Sequence, residues 1–368
     1  MTRHQAFWLF LLCASLLMPA APTQSVVARA PTATEKVNCG KGESINKALA
    51  RHPGAAALVV EVSGMCRENV VVTRDRVTLR GSDPATDGVE ATADAEQTDA
   101  AVWVRDAQLV TIENLKLTGG FSGLLASNVG VPFLRLKNCR LEGNNQWGAQ
   151  LELALLDAVD TTFGPNTRFS VGAFNGSRFG CAGCTLTLAP DSTTRDNILA
   201  LGGSQVILFE TSLVNGGINA GNSSVNLTDS SVQAFPGASA VVAGASSSLG
   251  FARTQVEGSF RLSTGTTANL AGVTQTVGPV PGPPNFAEDG AFVKIGSAPP
   301  PCPTPPCPPG PFIHSNVLGF NLSNFANLSL IGPAQLTGNI NCIFGANAFC
   351  QFPANVNGTA NCQLCTKP

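Results

Sequence analysis

Leu117, Leu141, Phe163, Leu186, Leu213, Val232, Val256 and Val277 recur along the chain at intervals of 24, 22, 23, 27, 19, 24 and 21 residues. Each belongs to a short alternating segment, as in VTIENLKLTGG at 110–120 and FLRLKNCRLEGNN at 133–145. Turn residues follow: Gly119–Gly120, Gly143–Asn144–Asn145, Gly164–Pro165–Asn166 and Asn215–Gly216–Gly217 are examples. Glycine and asparagine adopt positive φ at low cost, so these are bends. A second short apolar segment follows each bend, such as GLLASN or AVVAGAS. A unit of two short strands and two bends has nothing to bury its apolar face against except a copy of itself. The period is two, not 3.6, so helical repeats are excluded. A leucine-rich consensus is absent as well. What remains is a coil of parallel strands, each turn about 4.8 Å from the next. Two residues before each aligned position stand Leu115, Cys139, Thr161, Cys184, Thr211, Ser230 and Thr254. These form a second column predicted to stack through the coils.

Composition narrows the function. Charged residues make up 12% of the 368, and the net charge is −2. Nucleic-acid binding needs a basic stripe, and none is present. There is no tyrosine and there are only three histidines, so the usual catalytic side chains are scarce. His52 falls on a predicted capping helix and His314 in the tail, both away from the coil faces.

The first thirty residues read as a secretory signal: Arg3 and His4, an apolar run from Ala6 to Met18, then small residues. The run is short for a membrane span, and no later stretch approaches one. The chain is therefore expected to be exported, to the extracellular space, the periplasm or the cell surface. Export favours disulfides. The close pairs are Cys181 and Cys184, Cys302 and Cys307, Cys342 and Cys350, and Cys362 and Cys365, while Cys39 and Cys66 flank the first strand region. Cys139 is left without a partner. Zinc is the rival reading for the CxxC pairs, but no histidine lies near them.

The stretch CGKGESINKALARHPGAAALVVEVSGMCRENVVVTRDRVTLRG, from Cys39, opens with a short helix, SINKALA, ahead of a strand, a turn and a first coil. Ser44 suits the N-cap of that helix. With the repeat that follows, this resembles the opening of the right-handed parallel β-helix, or pectin-lyase-like, superfamily. The resemblance covers about residues 39–278. It implies an all-β solenoid with a short N-terminal capping helix. The predicted boundaries are a signal peptide at 1–30, a cap at 31–56 and coils at 57–278. A proline-rich stretch at 279–311, a linker or an ordered insertion, and a Cys-containing C-terminal unit at 312–368 follow. The last unit is either a small stapled domain or a final coil.

The fold hosts lyases, hydrolases, esterases, epimerases and adhesins, so it does not fix the activity. The Asn-Thr-Asp, Asp-Asp and Gly-His-Gly motifs of polygalacturonases are missing, as is the Asp-Pro-His of alginate-type epimerases. Pectate lyases are more variable and are not excluded by motif.

Offsets of 22 and 24 residues place Arg135 over Asp157, Asn138 over Asp160, Glu113 over Lys137 and Lys116 over Arg140. In a chain this poor in charge, that cluster is the candidate surface. Arg135, Lys137, Arg140, Asp157 and Asp160 are the catalytic candidates, and Glu113, Lys116 and Trp147 the substrate-binding ones, although Trp147, which follows the turn GNNQ near the patch, fits a core role better. Basic residues would hold the carboxylates of a uronate polymer, and one of lowered pKa would abstract the adjacent proton in a β-elimination. The alternative is cross-strand pairing on a solvated face. Two functions follow: a non-catalytic, carbohydrate-binding or adhesin-like scaffold, or a lyase of acidic polysaccharide. The partner in either case is a polysaccharide or cell-surface glycan. No cofactor is called for. A calcium ion is the one candidate, at Asp83, Asp87 and Asp94 of the acidic loop 81–99, where carboxylates could supply its oxygens.

Overall fold

A computed structural model describes residues 32–92, 100–130, 133–277, 283–296, 315–331, 334–343, 346–350 and 355–357. The expected signal peptide lies outside the described residues, as do Asp94, His314, Cys302, Cys307, Cys362 and Cys365. Among the described residues the chain winds through three parallel sheets of fourteen, thirteen and twelve strands, called here the first, second and third in coil order. Consecutive coils pair in register; strand Leu134–Lys137 of the first sheet, for example, lies between Thr111–Glu113 and Leu155–Val159. The fold is the all-β parallel β-helix expected from the repeat.

Alternation builds the interior. Leu134–Lys137 buries Leu134 and Leu136 and exposes Arg135 and Lys137. The inward position of Leu136 continues as Ile112, Ala158, Cys181, Leu208, Leu227 and Phe251 in neighbouring coils. The repeat column is an inward column of the second sheet: Leu117, Leu141, Phe163, Leu186, Leu213, Val232 and Val256 stack in register. Its expected last member is different. Gln275, not Val277, stands next to Val256, and Val277 is 59% exposed. An apolar pattern cannot anticipate this, because Gln275 is a buried amide whose polar atoms are satisfied. It donates to Gly258 O and Asn285 Oδ1 and accepts from Leu318 N. Burying a polar group is tolerated when it is hydrogen-bonded.

The second predicted column also stacks. Leu115, Cys139, Thr161, Cys184, Thr211, Ser230 and Thr254 are all buried. Its hydroxyls bond between coils, with Cys139 N donating to Thr161 Oγ1 and Thr211 N to Ser230 Oγ. The column follows the bend from the first sheet to the second. At that bend Asn114, Asn138 and Asp160 have φ of 52°, 49° and 49°. Asparagine and aspartate tolerate this left-handed region better than most residues. Asn138 Nδ2 donates to Asn114 Oδ1 at 2.9 Å, so the bends are tied across coils.

The cap has one predicted and one unpredicted element. Ser44 caps helix Ile45–Arg51, its side chain accepting from Lys47 N. Glu68, from the first coil, adds a carboxylate at the same helix end, accepting from Ile45 N at 2.6 Å and Asn46 N at 3.3 Å. Negative charge is stabilising there. Strand Thr32–Asn38 adds an edge beyond Ala57–Ser63. His52 ends the helix, its Nε2 2.7 Å from Glu35. The disulfide Cys39–Cys66 closes the cap, and Cys181–Cys184 spans a bend of the first sheet. Cys342 is disulfide-bonded too. Cys139 is a free, buried thiol. Burial raises its pKa to about 11, so it is an inert core residue.

The tail differs from the boundaries drawn on the sequence. Within the expected linker, Asn285–Ala287 and Phe292–Ile295 join the third and first sheets. Within 312–368, Ser315–Leu318 and Asn327–Leu330 continue the second and first sheets. The described tail therefore supplies further coils. Proline and glycine between these strands hide the alternation that would have revealed them.

Candidate functional site

Strand Leu134–Lys137 presents Arg135 and Lys137 outward on the first sheet. The preceding coil contributes Glu113, in register with Lys137, and the following one Asp157, in register with Arg135. Both alignments match the offsets read from the sequence. Together these residues line a groove of about 650 Å³. From the coil of Glu113 to that of Phe209 it crosses four coil spacings, or roughly 19 Å.

The charges do not pair as their offsets suggest. Glu113 is 2.9 Å from Arg80 of the coil before it, not bonded to Lys137. Asp157 is 4.0 Å from Arg178 of the coil after it. Among the described residues, Arg135 and Lys137 have no carboxylate within 4 Å. Cross-strand pairing is present, but it runs to the flanking coils, with Arg80 and Glu113 in register, and two exposed cations remain between the paired carboxylates. The groove continues past Asp157 over flat, weakly polar ground. Gly180 lies beneath the Asp157 carboxylate, where a Cβ would come within 2.5 Å of Oδ1. Beyond it Val159 and Phe209 are 43% and 42% exposed.

The other candidates are elsewhere. Lys116 and Arg140 are in register with each other, but on the second sheet, around the bend. Lys116 is paired with Glu142 at 2.9 Å. Asp160 sits at the bend itself. Trp147 starts a strand of the third sheet and is 6% exposed. It is stacked on Phe169 at 4.3 Å and edge-on to Phe174, lying over Gly172. It is neither near the groove nor open as a sugar platform. The sequence offset gave the coil position of these side chains but not the sheet, because the bend at Asn114 turns the chain within a few residues.

Arg178 and Arg80 were not among the candidates, although both line or flank the groove. Arg178 stands in the coil after Asp157, and its guanidinium lies 5.2 Å over the Phe133 ring. One more step of the repeat offset reaches it.

Two of the calcium candidates, Asp83 and Asp87, are hydrogen-bonded within the loop and to the first coil. Asp87 is buried, and its carboxylate accepts from Gly64 N at 2.8 Å and from Ser82 N and Oγ at 2.7 Å each. It pins the loop to the first coil. Asp83 accepts from Ala85 N in its own turn. Burial opposes charge on Asp87, but the donors from Gly64, Ser82 and Asp83 outweigh it and lower its pKa from 3.8 to about 2. A carboxylate whose folded pKa is depressed stabilises the fold above its unfolded pKa, and that contribution fades as pH falls toward the folded value. Asp87→Asn is expected to remove on the order of 1–2 kcal/mol near neutral pH. Between pH 4 and pH 2 the variant's stability should change less than the wild type's. Urea titrations at several pH values check this; parallel profiles would contradict it.

No protein-family model matches the sequence, and no curated protein matches it. A search of solved structures finds a likeness to an alginate lyase from Paenibacillus sp. str. FPU-7. The two are 10% identical, and the match covers 88% of this chain and 99% of that one with a TM-score of 0.28. That figure leaves the functional reading to the groove itself. Among the described residues no helix is long and apolar enough to cross a membrane, and the disulfides are compatible with export.

Proposed function

We propose that the groove on the first sheet binds an acidic, uronate-bearing polysaccharide, and that the chain acts outside the cytoplasm as a glycan-binding β-helix. One observation carries the reading: Arg135 and Lys137 stand exposed on one strand without carboxylate partners among the described residues, while Glu113 and Asp157 are drawn to Arg80 and Arg178. Side chains at i and i+2 on a strand are about 6.6 Å apart, so the two cations can hold separate carboxylates of one polymer. Val159 and Phe209 offer apolar ground for sugar faces alongside. Arg135 supplies a planar fork suited to a carboxylate, and Lys137 a point charge.

A second reading is favoured by the presence of acid–base groups in the same groove. If Arg135 neutralised a uronate carboxylate, the neighbouring C–H would be acidified. A base would take that proton as the glycosidic C–O bond breaks, a C=C bond forms and the departing oxygen is protonated, with Lys137 the group placed to exchange the proton. This is β-elimination, and it gives an ultraviolet-absorbing end.

Both readings are tested with purified protein, polygalacturonate and alginate. Replacing Arg135 and Lys137 together by Ala is expected to weaken binding about tenfold or more, since each exposed charged contact contributes about 1 kcal/mol. The melting temperature should stay unchanged, because both side chains are exposed. Undiminished binding by the double variant would remove the groove from consideration. A rise in ultraviolet absorbance with the wild type, lost in the double variant, would establish the lyase reading; binding without it leaves the scaffold.

A further inference from the structure

A second cavity lies where the chain passes from the second sheet to the third. The turn after strand Ser231–Gln233 runs through residues 234–238. One coil later, Gln255–Glu257 passes to Ser259–Leu262 through Gly258 alone. Val277, Pro283 and Pro284 of the next coil also line the space. Beside the long turn at 234–238, the single-residue turn at Gly258 leaves a notch of about 450 Å³. Gly258 makes the floor possible. Its φ is +120°, and a Cβ would come within 2.7 Å of the Ala234 Cβ.

The lining selects a ligand. Phe235 and the 59% exposed Val277 are apolar residues of the lining. The rim carries amides and one carboxylate, and no lysine or arginine lines the notch. Asn341 Nδ2 donates to Asn321 Oδ1 at 2.8 Å, and Gln233 Nε2 to Glu257 Oε2 at 3.3 Å, so the rim groups are held in place. Glu257 has no cation within 4 Å among the described residues, and its charge disfavours an anionic guest. Concave, largely apolar walls with a few oriented polar groups are the usual make-up of a small-molecule site. Amides and a carboxylate bind hydroxyls, and a ring face packs against Phe235.

The geometry points to a binding site for a neutral sugar ring in this notch, separate from the cationic groove and opposite to it in charge. The proposal does not depend on the reading of that groove.

The test is isothermal titration of the full chain with cello-, xylo-, manno- and galacto-oligosaccharides, and with oligogalacturonate for comparison. At least one neutral oligosaccharide should bind. Its affinity should fall tenfold or more in Phe235→Ala and in Asn341→Ala, and stay the same in the Arg135→Ala, Lys137→Ala double variant. Circular dichroism establishes that each variant is folded; Asn341 is exposed, so its replacement keeps the test usable should Phe235→Ala unfold. If no neutral oligosaccharide binds, the proposal fails. It fails equally if binding is indifferent to both notch variants, or if oligogalacturonate displaces the neutral ligand from the notch.

Discussion

Phe163→Ala is expected to lower the stability of the β-helix by about 3–5 kcal/mol. Phe163 has no exposed surface and is among the largest fully buried side chains. It stacks between Leu141 and Leu186 of the adjacent coils and meets the Phe179 ring edge-on at 5.5 Å. Its coil is held from above and below by parallel ladders, so the walls cannot collapse into the space the ring leaves. Loss of transfer energy and a persistent cavity therefore add. The check is a shift of the urea midpoint, with Val159→Ala as control. Val159 is 43% exposed, and its replacement should cost within about 0.5 kcal/mol. A loss below about 1 kcal/mol for Phe163→Ala would mean that the coils adjust more freely than their register implies.

Asn166→Val should be comparably costly, about 3 kcal/mol or more, for a different reason. The Asn166 side chain is buried and serves two coils. Nδ2 donates to Leu141 O at 3.0 Å, and Oδ1 accepts from Asn144 N at 3.1 Å and Asn144 Nδ2 at 3.0 Å. Valine is close in size, so little cavity forms, but three buried groups lose a partner. Each unsatisfied group costs about 1–3 kcal/mol. The network has no slack, since Asn144 Oδ1 is already buried without a partner. Asn269→Val, on an exposed outward position of the first sheet, is the matched control and should be nearly neutral. Equal effects of the two substitutions would show that the internal amides contribute little.

These two residues mark what could and could not be read from the sequence. Phe163 was legible because apolar periodicity reports burial directly, and the same periodicity gave the coil stack and the Arg135–Asp157 and Lys137–Glu113 registers. Asn166 and Gln275 were not, since a buried amide looks like a turn residue or a surface one until its partners from other coils are known. Asn166 was taken as part of a bend; the apolar column was carried to Val277, two residues beyond the inward Gln275. The candidate site was half legible. An offset fixes which coil a side chain occupies, but ion pairing depends on side-chain reach toward either neighbouring coil. Glu113 reached back to Arg80 and Asp157 forward to Arg178, so the unpaired cations emerged only from the structure. Trp147 was placed near the patch because it follows GNNQ closely in sequence, yet that turn carries the chain onto another sheet. The notch at Gly258 left no sequence signal beyond unequal spacing of the repeat, 24 residues from Val232 to Val256 across the long turn and 21 from Val256 to Val277 across Gly258.

Glycan binding in the groove depends most on the cations of strand Leu134–Lys137. The direct measurement is the affinity for polygalacturonate as a function of salt, in the wild type and in the Arg135→Ala, Lys137→Ala double variant. Exposed charges are screened over about 10 Å at 0.1 M salt. The wild-type affinity should therefore fall steadily with added salt, while the variant binds weakly at all concentrations with a much flatter dependence. Superimposable curves for the two proteins would contradict the assignment of the groove.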